Sequence, residues 1–148
     1  SSILNIKNKI KNKSRKRLQQ FNFLIYNTMN IFRKIKATLQ LREAVRKAND
    51  AHLKTGNRYY VLPTFNGSGK LIVLDKKDFK KLRRKGYINK KASIHDLINE
   101  SFYFTPYVNG DGYLSEHDRK RKVLQFFSWV EADRKARKER KRNNKKKK

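Results

Sequence analysis

Arg58-Tyr59-Tyr60-Val61-Leu62-Pro63-Thr64-Phe65-Asn66-Gly67-Ser68-Gly69-Lys70-Leu71-Ile72-Val73-Leu74 is the stretch that decides the fold. Its first part is rich in residues that suit a pleated, half-buried surface, and Pro63 fits the end or edge of a strand. Phe65-Asn66-Gly67-Ser68-Gly69 reads as a turn, and Leu71 to Leu74 returns as a second apolar run. Together they predict a β-hairpin. Neither run alternates cleanly, so both faces are expected to be partly covered. A lone hairpin is marginal in water, so helices must do the covering.

Those helices are found on either side. From Met29 to about Lys54, Ile31, Ile35, Leu39, Val45 and Ala48 keep to one side at 3.6 residues per turn, flanked by Phe32 and Leu41. Gly56 supplies a left-handed stop. Downstream, three pairs place a capping oxygen three residues before a carboxylate: Asp75 with Asp78, Ser93 with Asp96, and Ser115 with Asp118. They predict helices over 76–85, over 94 to about 102, and from 116 onward. The last has no apolar face beyond Ala136 and is expected to fray into the tail Lys138–Lys148. Eight of the 17 aromatic residues lie between Phe102 and Trp129 and are expected to supply much of the core. The fold class is therefore α+β: a small single domain, a β-hairpin packed by about four helices, with basic disordered ends.

Charge organises the rest. The chain has 148 residues, with 40 Lys or Arg against 12 Asp or Glu, a formal charge of +28. Residues 1–28 carry seven basic residues and no acid, and residues 131–148 carry 11 basic and three acidic residues. The expected organisation is a basic extension over 1–28, an α+β core over 29–130, and a helix end passing into a Lys/Arg-rich tail over 131–148. Within residues 1–28, 17 positions are Ile, Asn, Lys, Phe or Tyr, whose codons are AT-rich, and the only methionine is Met29. This points to residues 1–28 as upstream DNA read through in frame, with the working protein starting at Met29. The apolar run Phe21-Asn22-Phe23-Leu24-Ile25-Tyr26 is too short for a signal peptide or a membrane span. Its Asn/Lys-rich surroundings also argue against an organelle transit peptide. With no cysteine, disulfides, thiolate metal sites and cysteine nucleophiles are excluded.

The strongest functional signal is the segment after the hairpin. Lys76, Lys77, Lys80, Lys81, Arg83, Arg84 and Lys85 surround only two apolar residues, Phe79 and Leu82. Such a helix creates a field that attracts phosphates, and binding releases condensed counterions. Arg137, Lys138, Arg140, Lys141 and Arg142 add long-range attraction from the tail. Tyr59 and Tyr60, with Phe65 at the turn, are candidates for stacking a base, although neighbours on a strand point to opposite sides.

Other motifs are weaker. Asn109-Gly110-Asp111-Gly112 looks like the middle of a calcium loop, but Tyr107 stands at its first ligand position and Asp118 at its last. Gly67-Ser68-Gly69-Lys70 lacks the flanking glycine, the hydroxyl and the strand-to-helix context of a phosphate loop. Ser-x-His-Asp occurs at Ser93–Asp96 and at Ser115–Asp118, where capped helix starts explain it more simply than a triad or a metal site. His52 is read as structural. No catalytic residue, metal or cofactor is implied.

From Met29 to about Trp129 the chain resembles small basic proteins of Bacteroidales genomes and their mobile elements. The likeness rests on Leu41-Arg42-Glu43-Ala44-Val45, Lys70-Leu71-Ile72-Val73-Leu74-Asp75, Arg84-Lys85-Gly86-Tyr87-Ile88 and Phe102-Tyr103-Phe104-Thr105-Pro106-Tyr107. That resemblance implies the cytoplasm of a bacterial or phage-infected cell and supplies no catalytic residues. The sequence thus predicts a non-enzymatic accessory protein that binds DNA or RNA with low sequence selectivity and does not act at a membrane. The first alternative is a structural or interaction protein with an acidic protein or ribonucleoprotein partner. A small metal-dependent nuclease is the third.

Overall fold

The computed structural model describes residues 2–64 and 66–147. Five helices and three strands follow in the order α1 (Ser2–Thr28), α2 (Ile31–Thr55), β1 (Tyr60–Pro63), β2 (Leu71–Leu74), α3 (Lys76–Arg84), α4 (Ile94–Glu100), β3 (Tyr103–Phe104) and α5 (Glu116–Lys146). The predicted hairpin is present, with Tyr60 opposite Leu74 and Pro63 opposite Leu71. A third, antiparallel strand joins its other side, Tyr60 facing Phe104 and Val61 facing Tyr103, so the sheet order is β2-β1-β3. β1 is therefore central.

The two-residue period of β1 divides the core. Val61 points to one face, into a cluster with Ala37, Leu41, Ala44 and Ala48 of α2, Phe102, and Phe126 and Phe127 of α5. Tyr60 and Leu62 point to the other, where Leu74, Phe79 of α3, Leu97 of α4 and Phe104 complete a second cluster. Helices thus cover both faces, as the unbroken apolar runs predict. Of the aromatic residues after Phe102, Phe104, Phe126 and Phe127 are buried, whereas Tyr107 and Tyr113 are exposed.

One expected face is right only in its second half: Ala48 is buried and Val45 packs on the core, but Ile31, Ile35 and Leu39 are 66%, 53% and 56% exposed, and α2 turns Ala37, Leu41 and Ala44 inward in their place. Three small side chains let the helix backbone approach the sheet closely, and the larger apolar stripe is left facing outward. Gly56, at φ 76°, ends α2 as expected, its N–H donating to the His52 carbonyl at 2.7 Å.

Both basic ends take helical backbone. Side chains 11–18 and 135–147 are exposed throughout, so these outer turns stand outside the core. The inner end of α1 is different. Tyr26 packs on Phe127 with ring centroids 5.0 Å apart, and Met29 and Asn22 are buried. α1 thereby lies along α5. No helix among the described residues is long and apolar enough to cross a membrane.

Candidate nucleic-acid interface

α3 leaves the sheet directly after β2, and its first turn is fixed from both sides. The Asp75 carboxylate accepts the Asp78 N–H at 2.8 Å, and the Asp78 carboxylate accepts the Asp75 N–H at 3.3 Å. This reciprocal pair uses up the only acid in the helix on its own backbone. Phe79 is buried and Leu82 half-buried, and the pair holds α3 to the sheet. The turn geometry then leaves Lys76, Lys77, Lys80, Lys81, Arg84 and Lys85 exposed. Of the seven ion pairs among the described residues, none involves these side chains. Arg83 is the exception in orientation: half-buried, it donates from Nη1 to the Ala92 carbonyl at 2.8 Å.

The far end of α3 is closed by Gly86 at φ 85°. Its N–H donates to the Arg83 carbonyl at 3.2 Å, and the Tyr87 N–H donates to the Leu82 carbonyl at 3.1 Å. Ile88 packs into the second cluster. Asn89 accepts the Lys91 N–H on its side chain at 3.0 Å and the Ala92 N–H on its carbonyl at 3.0 Å. Tyr87 is 67% exposed within this pinned loop, and Lys90 and Lys91 are exposed beside it.

The tail residues lie elsewhere. Arg137 pairs with Asp133 at 2.9 Å, and Arg140 donates to the carbonyl of Gly67 in the hairpin turn at 3.5 Å. Lys138, Lys141 and Arg142 are exposed. That turn closes the Pro63–Leu71 end of the hairpin, whereas α3 begins beyond the Tyr60–Leu74 end. The two basic elements are thus separated by the length of the hairpin and do not merge into one patch.

The tyrosines picked out on β1 do not face solvent. Tyr60 is 0% exposed, its ring tilted against Phe104 at 6.2 Å, and its hydroxyl is buried without a hydrogen-bond partner. Burial pushes that hydroxyl above its usual pKa. It cannot stack a base. Tyr59 is half-buried against the first cluster, its hydroxyl accepting from Thr55 at 3.2 Å. Helices cover both faces of the sheet, and Phe79 of α3 and Leu97 of α4 close over Tyr60 with Leu74 and Phe104. Phe65 lies outside the described residues.

Two residues were missed by the sequence reading. Tyr87 is one. Arg58 is the other: it is 8% exposed, lying 4.2 Å from the Phe104 ring centroid and 4.5 Å from that of Tyr107. Nη2 donates to the Gly112 carbonyl at 2.8 Å, but Nε has no partner. It borders a cavity of about 400 Å³ with Asn57, Asp75, Lys76 and Tyr107. The Arg58 guanidinium beside it draws the Tyr107 hydroxyl below its usual pKa.

The remaining motifs resolve into local structure. Asp111 donates its N–H to Asn109 Oδ1 at 3.0 Å, while Asn109 Nδ2 donates to the Asp111 carboxylate at 2.9 Å. Asp96 accepts the Ser93 N–H at 2.7 Å, and this bond holds its carboxyl below the usual range. Asp118 pairs with Arg121 at 3.0 Å. Among the described residues, no three His, Asp or Glu side chains gather as metal ligands would.

The fold and site define a small α+β protein that carries a capped basic helix on one side of a three-stranded sheet. No protein-family model, curated protein or solved structure matches the chain.

Proposed function

We propose that the protein is a non-enzymatic accessory protein that binds nucleic acid with low sequence selectivity, chiefly through α3. The observation that carries this reading is the set of five exposed cations on a helix whose only acid is spent on its own cap, with a sixth, Lys85, at its C-terminal cap. Phosphate contacts suit such a surface because each releases condensed counterions, and they carry no sequence information. The tail adds attraction from the other end of the hairpin.

A second reading, an interaction protein with an acidic partner, is favoured by the outward stripe of Ile31, Phe32, Ile35 and Leu39 with Lys36 exposed beside it. Salt separates the two. Fluorescence anisotropy of the full chain is measured against single-stranded RNA, single-stranded DNA and duplex DNA across a range of salt. Alongside runs a Lys76/Lys77/Lys80/Lys81/Arg84→Gln variant, with Arg83 kept because it secures Ala92. Affinity is expected to fall steeply with salt, and the variant to lose roughly 3 to 4 units of log–log slope. Equal slopes would remove α3 from the interface and turn attention to the apolar stripe.

A further inference from the structure

The nucleic-acid reading leaves open which form of nucleic acid is preferred. Phosphates alone do not distinguish a duplex from a single strand; an exposed aromatic face does, because the base faces of a duplex are already stacked on one another. With Tyr60 in the core and Tyr59 half-buried, the stacking residue must be sought elsewhere.

Tyr87 has the required properties together. Its ring is 67% exposed, yet its backbone is held by the bond from its N–H to Leu82 and by the left-handed Gly86 before it. The following residue, Ile88, takes the inward position that would otherwise have drawn the tyrosine into the protein. Arg83 closes the loop from below by holding Ala92. An aromatic ring on a fixed backbone loses little freedom on binding, which favours it over one on a mobile loop.

Its electrostatic setting also fits. The C-terminal end of a helix carries a partial negative charge that by itself repels phosphate. Here the Lys81, Leu82 and Arg83 carbonyls accept from Lys85, Tyr87 and Gly86, and Arg84, Lys85, Lys90 and Lys91 stand exposed around the loop. Four full charges outweigh the half charge of the helix end. Lys85 and Lys90 lie two and three residues from Tyr87, so their Cα atoms are within about 7 Å and about 11 Å of it. Two other exposed aromatics lack this combination. Tyr113 shares its turn with Asp111, and Phe32 adjoins Arg33, whose Nε is committed to Glu131 at 2.8 Å.

We propose that Tyr87 is a base-stacking platform, and that the preferred ligand is a single strand, RNA or DNA, whose flanking phosphates meet Arg84, Lys85, Lys90 and Lys91. This rests on the nucleic-acid reading and adds to it the substrate form and the residue that selects it.

The test uses the full chain across a series of salt concentrations, with single-stranded RNA, single-stranded DNA and a duplex of the same sequence. Tyr87→Ala is compared with Tyr87→Phe and Tyr87→Trp, each checked for an unchanged melting temperature. Stacking predicts that Tyr87→Ala weakens single-strand binding by roughly ten-fold or more, leaves duplex binding within about two-fold, and keeps the salt slope. Tyr87→Phe and Tyr87→Trp retain single-strand binding, because the ring and not the hydroxyl makes the contact. Steep, salt-dependent binding that Tyr87→Ala does not change for a single strand overturns the stacking role while leaving the α3 reading intact. Absence of binding to all three nucleic acids overturns the reading beneath it as well.

Discussion

Residues 76–85 and residues 133–142 each carry seven cations in ten positions, and they are built in opposite ways. α3 holds its charges still. Its one acid caps its first turn, Phe79 and Leu82 fasten it to the sheet, and among the described residues no carboxylate pairs with its exposed cations. The far part of α5 has no apolar anchor after Val130, and several of its cations are already engaged. Arg134 lies 3.5 Å from Glu131, Arg137 pairs with Asp133, and Arg140 reaches the hairpin turn. Equal charge counts therefore describe unequal surfaces. If the proposed function holds, the α3 cations would make directional phosphate contacts, whereas the tail would contribute a diffuse field that salt screens readily.

The comparison breaks most visibly if the α3 anchor is removed. Phe79 is 3% exposed and is the residue of α3 that enters the second cluster with Leu74, Leu97 and Phe104. Phe79→Ala is expected to cost about 3–5 kcal/mol, read as a lower urea midpoint with an unchanged slope. A loss below about 1 kcal/mol would mean that α3 is held by its cap rather than its anchor. The two basic segments would then be alike in mobility.

A smaller effect separates the exposed cations from a buried one. Lys122, on the first half of α5, donates to the Ile98 and Ser101 carbonyls at the end of α4, both at 2.6 Å. Burial, with the Arg121 charge beside it, pushes its pKa down to about 8. The unfolded chain therefore binds more protons than the folded one from about pH 8 up to the ordinary lysine value, and stability contributed by this group rises with pH across that window. Below about pH 8 both states are protonated, and the cost of burying the charge is constant. Between pH 7.5 and pH 10 the wild type should gain about 2 kcal/mol relative to Lys122→Met, measured by urea unfolding. Parallel pH profiles for the two proteins would show that Lys122 titrates as a solvated side chain.

How much of this was legible in the sequence depended on whether the deciding contact was local. The hairpin and all three caps are local, and Asp75–Asp78, Ser93–Asp96 and Ser115–Asp118 each place their capping bond where the spacing puts it. β3 was not legible, since two residues cannot display an alternation. Alternation says that one of Tyr59 and Tyr60 turns inward but not which, so Tyr60 stays a candidate for stacking although helices are expected on both faces. The first half of the α2 face is legible only in part, for another reason. Periodicity weights large apolar residues such as Ile31 and Ile35, while close approach to the sheet selects Ala37 and Ala44. Tyr87 escaped because Tyr87 and Ile88 are neighbours of similar apolarity, and only tertiary packing decides which of them turns inward. The basic helix itself was legible, because its cations need no distant partner to be counted.

The smallest predicted effect is also the sharpest test of order in α3. Asp75 and Asp78 close a reciprocal box, whereas Ser115 at the start of α5 makes the single bond to the Asp118 N–H at 3.2 Å. Asp75→Ala should cost about 1–2 kcal/mol and Ser115→Ala about 1 kcal/mol, because the first also loses the bond from Asn57 Nδ2 and a carboxylate charge at the helix N-terminus. Asp75→Ala also removes a negative charge beside Lys76 and Lys77, which taken alone strengthens attraction for phosphate. The two consequences pull nucleic-acid affinity in opposite directions, so its sign is informative. A helix of nine residues has little stability without its cap and its anchor. If the cations act from fixed positions, fraying the first turn outweighs the added charge and affinity falls. If affinity rises while stability drops, α3 works as the tail does, by charge alone, and the contrast between the two segments is one of location only.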